Sequence, residues 1–353
     1  MGIKFGIVGH GFMGHEHESM LTKMDGIDVV GICDIDASQM QDVKEGILRY
    51  DNAQDLYANP EIEVVLIAAN NNQHKQLVLD AVKAGKHVIC EKPVAMSVPD
   101  LDEMAAAAEA AGVTFTVHHQ RRLDPDFQMA KAVFDAGTIG TPFLIKNSLY
   151  GFNGNMHDWH VFIEEGGGML YDWGVHLLDQ MLYMIPGKVT SVYADIRNVI
   201  NTEVDDYFNI FMKFDNGIGA QVELGTYYLT DKDHWFERHW YLGGNKGSAY
   251  VDGFEPNGKL VRTADLLQNV GGKRTMTAAG PTRSFGPPPE GKLIVEDLPK
   301  VQTCHEDYFE NYKKAFRGEE DFLVKIPETR RVLSLMDAVR ESGRTGQSIA
   351  FEA

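Results

Sequence analysis

Cysteine is scarce: Cys33, Cys90 and Cys304 are the three in a chain of 353 residues, and no two stand close together. That pattern excludes a disulfide framework and a CxxC zinc site, and points to a reducing, cytoplasmic setting. Long apolar runs are also missing. Nothing approaches the roughly 20 residues of a membrane-spanning helix. The N-terminus opens almost directly on a strand pattern, so no signal peptide is expected. Positive charge is in deficit, with 33 Lys and Arg against 51 Asp and Glu and a formal net charge of -18. Such a surface repels phosphate backbones and anionic lipid, so nucleic acid and membranes are not expected partners. A small anionic cofactor stays open, because backbone dipoles act locally.

What is present reads as two domains, which the length allows. The first third alternates short apolar runs with helical patterns. Ile3 to Val8, Val29 to Cys33, Val64 to Ala69, His87 to Cys90 and Thr114 to Val117 read as buried strands. Between them, His74, Leu77, Val78 and Ala81 recur at helical spacing before Gly85, and Ser97, Pro99 and Asp100 open a helix that Gly112 ends. Strands alternating with helices predict a parallel, doubly wound α/β sheet, a Rossmann dinucleotide-binding domain over residues 1–120.

Residues 121–353 read as an α+β domain with a large, mainly antiparallel sheet. Helices are expected over Pro125 to Ala136 and Met169 to Met184, and strands over Thr190 to Val199, Val204 to Phe214 and Ile218 to Leu224. Asp215-Asn216-Gly217 marks a hairpin, and a second is expected between His239 to Leu242 and Ser248 to Val251, turning at Gly243-Gly244. Pro287-Pro288-Pro289 reads as a semi-rigid loop. Two closing helices are expected, about Glu306 to Arg317 and Glu328 to Ser342.

Gly9-His10-Gly11-Phe12-Met13-Gly14 is GxGxxG, directly after the first strand and at the start of a helix. Gly9 permits the tight turn, Gly11 lets the backbone approach a pyrophosphate, and Gly14 lets helix and strand pack closely. The helix N-terminus, with Phe12 and Met13, offers free N–H groups to phosphates. Asp34 ends the second strand, twenty residues beyond Gly14. A carboxylate there accepts from both ribose hydroxyls and repels a 2′-phosphate, which favours NAD over NADP.

Two further motifs carry the chemistry. Glu91-Lys92-Pro93 follows a strand, at the carboxyl edge where open α/β sheets bind ligands. Later comes Gly166-Gly167-Gly168-Met169-Leu170-Tyr171-Asp172-Trp173-Gly174-Val175-His176-Leu177-Leu178-Asp179. Asp172 and His176 are four apart and would share one helical face. A His beside a carboxylate can serve as a general base near neutral pH.

With these three signals in order, the chain resembles the glucose–fructose oxidoreductase, inositol dehydrogenase and rhizopine-catabolism (GFO/IDH/MocA) family over essentially its whole length. The resemblance implies Lys92, Asp172 and His176 as the catalytic set. His176 would remove a hydroxyl proton as hydride leaves for NAD, Lys92 would hydrogen-bond the same oxygen, and Asp172 would hold a neighbouring hydroxyl or tune His176. It also implies cofactor contacts from Asn70, His74, Glu91 and Lys92, and a second-domain sheet that often mediates homo-oligomers. One departure is the segment Ala69-Asn70-Asn71-Asn72-Gln73-His74, where relatives often carry Thr-Pro-Asn before the His.

The substrate wall is expected in Asn153-Gly154-Asn155-Met156-His157-Asp158-Trp159-His160, with His157 and Trp159 as candidates, since aromatics stack on sugar rings and polar groups bind hydroxyls. Gln120, Arg121 and Arg122 could reach the site from the last Rossmann strand. The aromatic, charged segment Asp231 to Trp240 fits either a site mouth or an oligomer contact. His118-His119 and the His-x-x-His at 157–160 raise a metal, but no carboxylate or cysteine has clear ligand spacing, so none is expected. Within the family the chain most resembles oxidases of glycosides acting at the sugar C3 hydroxyl. Inositol 2-dehydrogenase, a glycosidase that recycles bound NAD, and a non-catalytic dinucleotide-binding regulator are the alternatives.

Overall fold

The computed structural model describes residues 2–152, 156–227, 235–264, 275–282 and 290–352. The expected positions Asn153 to Asn155, Asp231 to His234 and Pro287 to Pro289 lie outside them. No helix among the described residues is long and apolar enough to cross a membrane.

The first half carries β1 (Ile3–Val8), α1 (Phe12–Leu21), β2 (Ile27–Cys33), β3 (Leu48–Tyr50), α2 (Ala53–Ala58), β4 (Val64–Ile67), α3 (His74–Lys83), β5 (His87–Cys90), α4 (Val98–Ala111) and β6 (Phe115–Val117). Six parallel strands stand in the order β3-β2-β1-β4-β5-β6, a doubly wound Rossmann sheet. Helices cover both faces, so β4 (VVLI) is buried at every residue, as strands of parallel sheets are. α4 follows its capping signals: the Ser97 side chain accepts from Asp100 N, and Gly112 closes the helix at φ 68°. β3 was not expected; it is a three-residue edge strand with too little apolar content to register.

The second half holds α5 (Pro125–Asp135), β7 (Pro142–Gly151), α6 (Val175–Met184), β8 (Val189–Arg197), β9 (Tyr207–Phe214), β10 (Gly219–Gly225), β11 (Phe236–Gly244), β12 (Gly247–Asp252), β13 (Asn257–Thr263), the small hairpin β14 (Thr275–Thr277) and β15 (Gly280–Thr282), β16 (Leu293–Asp297), α7 (Glu306–Phe316), α8 (Ile326–Thr345) and β17 (Ile349–Ala350). Nine of these strands form one sheet in the order β16-β13-β12-β11-β7-β10-β9-β8-β17, antiparallel except where β7 lies parallel to β10, and β14 pairs with β15 alone. α5, α6 and α8 cover one face. Tyr193, Phe211, Tyr241 and Tyr250 stand exposed on strands of this sheet.

Three expectations are corrected here. The helix expected over Met169 to Met184 divides: Leu170–Gly174 form a π-helical turn and only Val175–Met184 are α-helical. The four-residue spacing of Asp172 and His176 therefore does not stack them on one α-helical face. The second hairpin turns at Asn245-Lys246, because β11 and β12 pair through Gly243↔Ser248 and Gly244↔Gly247. The segment from Phe236 to Trp240 runs into the core, where Arg238 and Trp240 are buried.

The halves are closely joined. α7 lays Phe309 and Tyr312 against Phe5 of β1, and Tyr308 Oη donates to Val117 O. Within the second half, Arg122 is buried in a bidentate pair with Asp179 at 2.7 and 2.8 Å, and also donates to Glu328 and to Leu323 O. Arg238 makes a second buried cluster with Asp124, Asp126 and Trp240. Of the three residues at 120–122, Arg122 is thus structural: four of its five N–H donors are engaged by these partners.

Candidate active site

The glycine turn is built as its spacing requires. Gly9 has φ +92°, and a Cβ there would meet the Ala68 carbonyl at 2.5 Å. A Cβ on Gly14 would lie 2.2 Å from Gly9 O, so only glycine lets α1 approach β1 this closely. Gly11 opens on empty space, where a ligand can meet the main chain. His10, between them, is buried; its ring contacts Gln39 O at 2.7 Å and Glu18 Oε2 at 2.8 Å. Its amide donates to Asp34 Oδ2 at 2.6 Å, and Asp34 Oδ1 accepts from Asp36 N at 2.8 Å. The carboxylate of Asp34 is thereby fixed at the end of β2, beside the turn.

Two cavities form one trench. The first, about 440 Å³, is lined by Gly9, Gly11, Asp34, Asp36, Ala69 and Asn70 among others. The second, about 550 Å³, shares Gly11, Ala69 and Asn70 with it and continues past Phe12, Met13, Glu91 and Lys92. Its far wall comes from Gln120, the last residue of the first half, and from Arg121, His157, Trp159, His160, Asp172, Trp173 and His176 of the second. Phe12 is 81% exposed, an apolar side chain at the mouth of the phosphate turn. Ala69 and Asn70, the departures from the usual Thr-Pro, line the trench itself. His74 sits beneath it, fully buried, with its two ring nitrogens 2.9 Å from the carbonyls of Pro93 and Ala69; it braces the two loops that form the floor.

Lys92 crosses the trench. Its Nζ donates to Asp172 Oδ1 at 2.8 Å and to Asp172 O at 3.0 Å, joining residues 80 positions apart. His176 is buried next to this pair, and its Nδ1 has no hydrogen-bond partner. Burial, then the positive charges of Lys92 and Arg121, hold its pKa well below the usual imidazole value. It is neutral near pH 7 and can accept a proton. Behind it lies His119, also buried, with both nitrogens unpartnered and its ring centroid 6.1 Å from that of His176. Gln120 Oε1 is buried and unpartnered too. Arg121 reaches the wall by stacking over Trp173 at 4.0 Å.

The wall residues are held by main-chain bonds. Gly168 N donates to His160 O at 2.9 Å, and Asn71 and Asn72 donate to the carbonyls of Gly166 and Glu164. Gly168 has φ +101°, and a Cβ there would strike Asp205 Oδ1 at 2.4 Å. Asp205 in turn accepts from Met169 N through its carbonyl and from Leu170 N through its carboxylate. It anchors the start of the π turn that carries Asp172. Sequence reasoning passed over Asp205, because its partner amides lie 35 residues away.

Glu91 is buried, and its Oε1 faces His17 Nε2 at 2.7 Å and His118 Nδ1 at 2.8 Å. Burial alone would raise the Glu91 pKa, but the two imidazoles bring it well below the usual carboxylate range. No carboxylate shows ligand spacing to the histidines along the sequence, but the fold brings Glu91 to His118 and adds His17, which lies between Glu16 and Glu18 on α1. The three side chains offer ligating atoms within 4.8 Å of one another. Their separations are those of hydrogen bonds. The outward nitrogens, His17 Nδ1 and His118 Nε2, lack the second partners that metal-bound imidazoles use. The trio acts as a clamp on the residue before Lys92.

A Rossmann sheet opening onto a basic and imidazole-bearing wall defines an NAD-binding oxidoreductase. Residues 3–119 match the oxidoreductase family with an NAD-binding Rossmann fold, and residues 127–250 match the GFO/IDH/MocA C-terminal domain. The uncharacterized oxidoreductase YrbE of Bacillus subtilis is 30% identical over 74% of this chain and 77% of its own. Myo-inositol 2-dehydrogenase of Thermotoga maritima is 26% identical over 71% and 75%. A solved NAD-binding protein from Listeria innocua superposes with a TM-score of 0.87 at 32% identity, covering 99% of this chain and 97% of that one. The chain belongs to the GFO/IDH/MocA oxidoreductase family.

Proposed function

We propose that this protein oxidises a secondary hydroxyl of a sugar or glycoside with NAD, at the C3 hydroxyl of a glucoside. The observation that carries the reading is the Lys92–Asp172 pair beside a neutral, buried His176, at the junction of the dinucleotide trench and the side-chain wall.

The residues of the trench fit NAD. Gly11 leaves room for main chain to meet a pyrophosphate, the open N-terminus of α1 faces it, and Asp34 and Asp36 carry charge where a ribose would lie. Phe12, Met13, Asn70 and Lys92 would line the remainder. Bound NAD supplies the hydride acceptor. His176 takes the hydroxyl proton, which becomes acidic as the carbonyl forms. Lys92 donates to the same oxygen and stabilises the negative charge that develops on it. Asp172 holds Lys92 in place and presents its other oxygen to the substrate. Trp159 offers a flat face for a sugar ring, and Arg121, Gln120 and His157 offer hydrogen bonds at its edge.

The test is incubation of the purified protein with NAD and glucose, myo-inositol, and aryl O- and C-glucosides, following NADH absorbance and product mass. Formation of NADH with a 3-oxo-glucoside lighter by two hydrogens is expected. An inositol product alone would favour the 2-dehydrogenase reading, which the Thermotoga relative's name supports. Aglycone released without net NADH would favour cofactor recycling, and silence with NAD bound would favour a regulator.

We also infer a homo-oligomer formed through the uncovered face of the nine-stranded sheet, where aromatic side chains on β8, β9, β11 and β12 stand exposed. Sedimentation should give a mass above one chain, and Phe211→Glu should lower it.

A further inference from the structure

The side chain of His10 does something that the glycine turn itself does not require. Its ring nitrogens stand 2.7 Å from Gln39 O and 2.8 Å from Glu18 Oε2. Both neighbours are acceptors, so the ring donates on both sides, and the Glu18 carboxylate balances its charge. His15 lies against it, with ring centroids 3.9 Å apart, and is tied to Gly11 O at 2.9 Å. The other oxygen of Glu18 accepts from Lys44 N at 2.8 Å. Two side chains, one in the phosphate turn and one on α1, thus grip the chain between β2 and β3 at Gln39 and again at Lys44.

What they grip is the Asp34 side of the trench. Asp34 Oδ1 accepts from Asp36 N, Asp36 Oδ1 accepts from Ser38 N, and Gln39 N donates to Asp36 O, so these residues move as one piece. Asp34, Asp36 and Gln39 all line the trench, and Gln39 lines both of its cavities. Farther along, Arg49 of β3 donates to Met40 O at 3.1 Å and to Val43 O at 2.5 Å, and Met40 and Val43 are buried. The rest of the segment therefore has its own anchors, and His10 governs the edge that faces the trench.

We propose that His10 is a positioning residue for cofactor choice: it latches the Asp34–Gln39 segment onto the phosphate turn, and this rigid edge favours NAD over NADP. The inference rests on the reading of the trench as an NAD site with Asp34 at the ribose. A 2′-phosphate adds bulk and negative charge at the Asp34 carboxylate, and it fits only if Asp34 and the residues after it draw back. A latched segment resists drawing back. The same latch spares the cost of ordering Asp34 when the ribose hydroxyls arrive. The His10 side chain is fully buried and acts through Asp34 and Gln39 rather than on the cofactor.

The experiment titrates NADH and NADPH by fluorescence into wild-type protein, Asp34→Ala, His10→Leu, His10→Asn and His10→Gln. Asn carries an amide at the place of Nδ1 and still reaches Gln39 O; Gln carries one at the place of Nε2 and reaches Glu18 instead. Wild type should bind NADH more tightly than NADPH, and Asp34→Ala should reduce that preference. His10→Leu should weaken NADH binding about 10-fold and leave NADPH binding within about 2-fold, so the preference falls about 10-fold. His10→Asn should recover most of the preference and His10→Gln little of it. Should His10→Leu fold poorly by circular dichroism, the contrast between Asn and Gln decides. Equal weakening of both cofactors, an unmoved preference in His10→Leu, or equal preferences in the Asn and Gln variants would overturn the latch alone, provided that Asp34→Ala responds. If wild type prefers NADPH, or Asp34→Ala keeps the wild-type preference, Asp34 does not read the ribose, and the latch falls with that reading.

Discussion

The two walls of the trench are made of different material. The wall from the first half is largely main chain: bare glycines, a helix N-terminus and one carboxylate fixed by backbone amides. The wall from the second half is side chains: Asp172, His176, Trp159, His160 and Arg121. A main-chain surface can recognise what all dinucleotides share, whereas side chains can be exchanged one at a time without rebuilding the fold. On the proposed reading, general cofactor handling falls mainly to one side of the cleft and substrate choice to the other.

That division can be tested by damaging each wall in turn. The largest effect is expected on the side-chain wall: His176→Ala should lower kcat by about 10²–10⁴-fold while leaving NAD affinity, measured by titration, unchanged. A comparable loss of NAD binding would show that the walls do not divide the work. Next, on the main-chain wall, Asp34→Ala should reduce the preference for NAD over NADP by about 10- to 100-fold in kcat/KM. The choice between glycosides should stay as in wild type. A change in glycoside preference would break the comparison from the other side.

The smallest effect concerns the support behind the second wall. Burial pushes the Asp205 carboxyl up to about 6, against the pull of the Leu170 amide. Arg340 lowers it and Asp206 raises it as well. Below about pH 4 the group is protonated folded or unfolded. Between about pH 4 and 6 the folded chain holds a proton that the unfolded chain has lost, so stability falls as pH rises through this window. Asp205→Asn carries no charge at any pH. Thermal melting should place it a few degrees above wild type at pH 7 and level with it below about pH 4. A constant offset at every pH would mean that ionisation of Asp205 is not the cause.

Much of the first wall was legible because its signals are local. Gly9, Gly11 and Gly14 lie within six residues, and a strand buried on both faces, such as Val64–Ile67, is apolar at every position. The second wall was legible as a motif but not as a geometry. The π turn at Leu170–Gly174 leaves no mark in hydrophobic spacing, so an α-helical face was expected for Asp172 and His176. β7 escaped notice because Lys146, on the open sheet face, and buried Asn147 interrupt its apolar pattern. The segment holding His160 was recognised, yet its neighbours His157 and Trp159 were preferred. Which histidine turns toward Asp172 depends on the Gly168–His160 bond, a long-range pairing that no residue spacing encodes. His17 and Glu91 likewise meet across 74 residues.

The Lys92–Asp172 bond spans the seam between the halves, and the pair of Asp102 with Arg330 crosses it again. A gene fusion that joined this first half to the second half of a distant relative would inherit Lys92 and Asp102 without the partners beside which they were selected. Recombination at the apparent boundary is thus a poor route to new substrates in this lineage. Point substitution along the side-chain wall is the easier one, and libraries for altered specificity belong there.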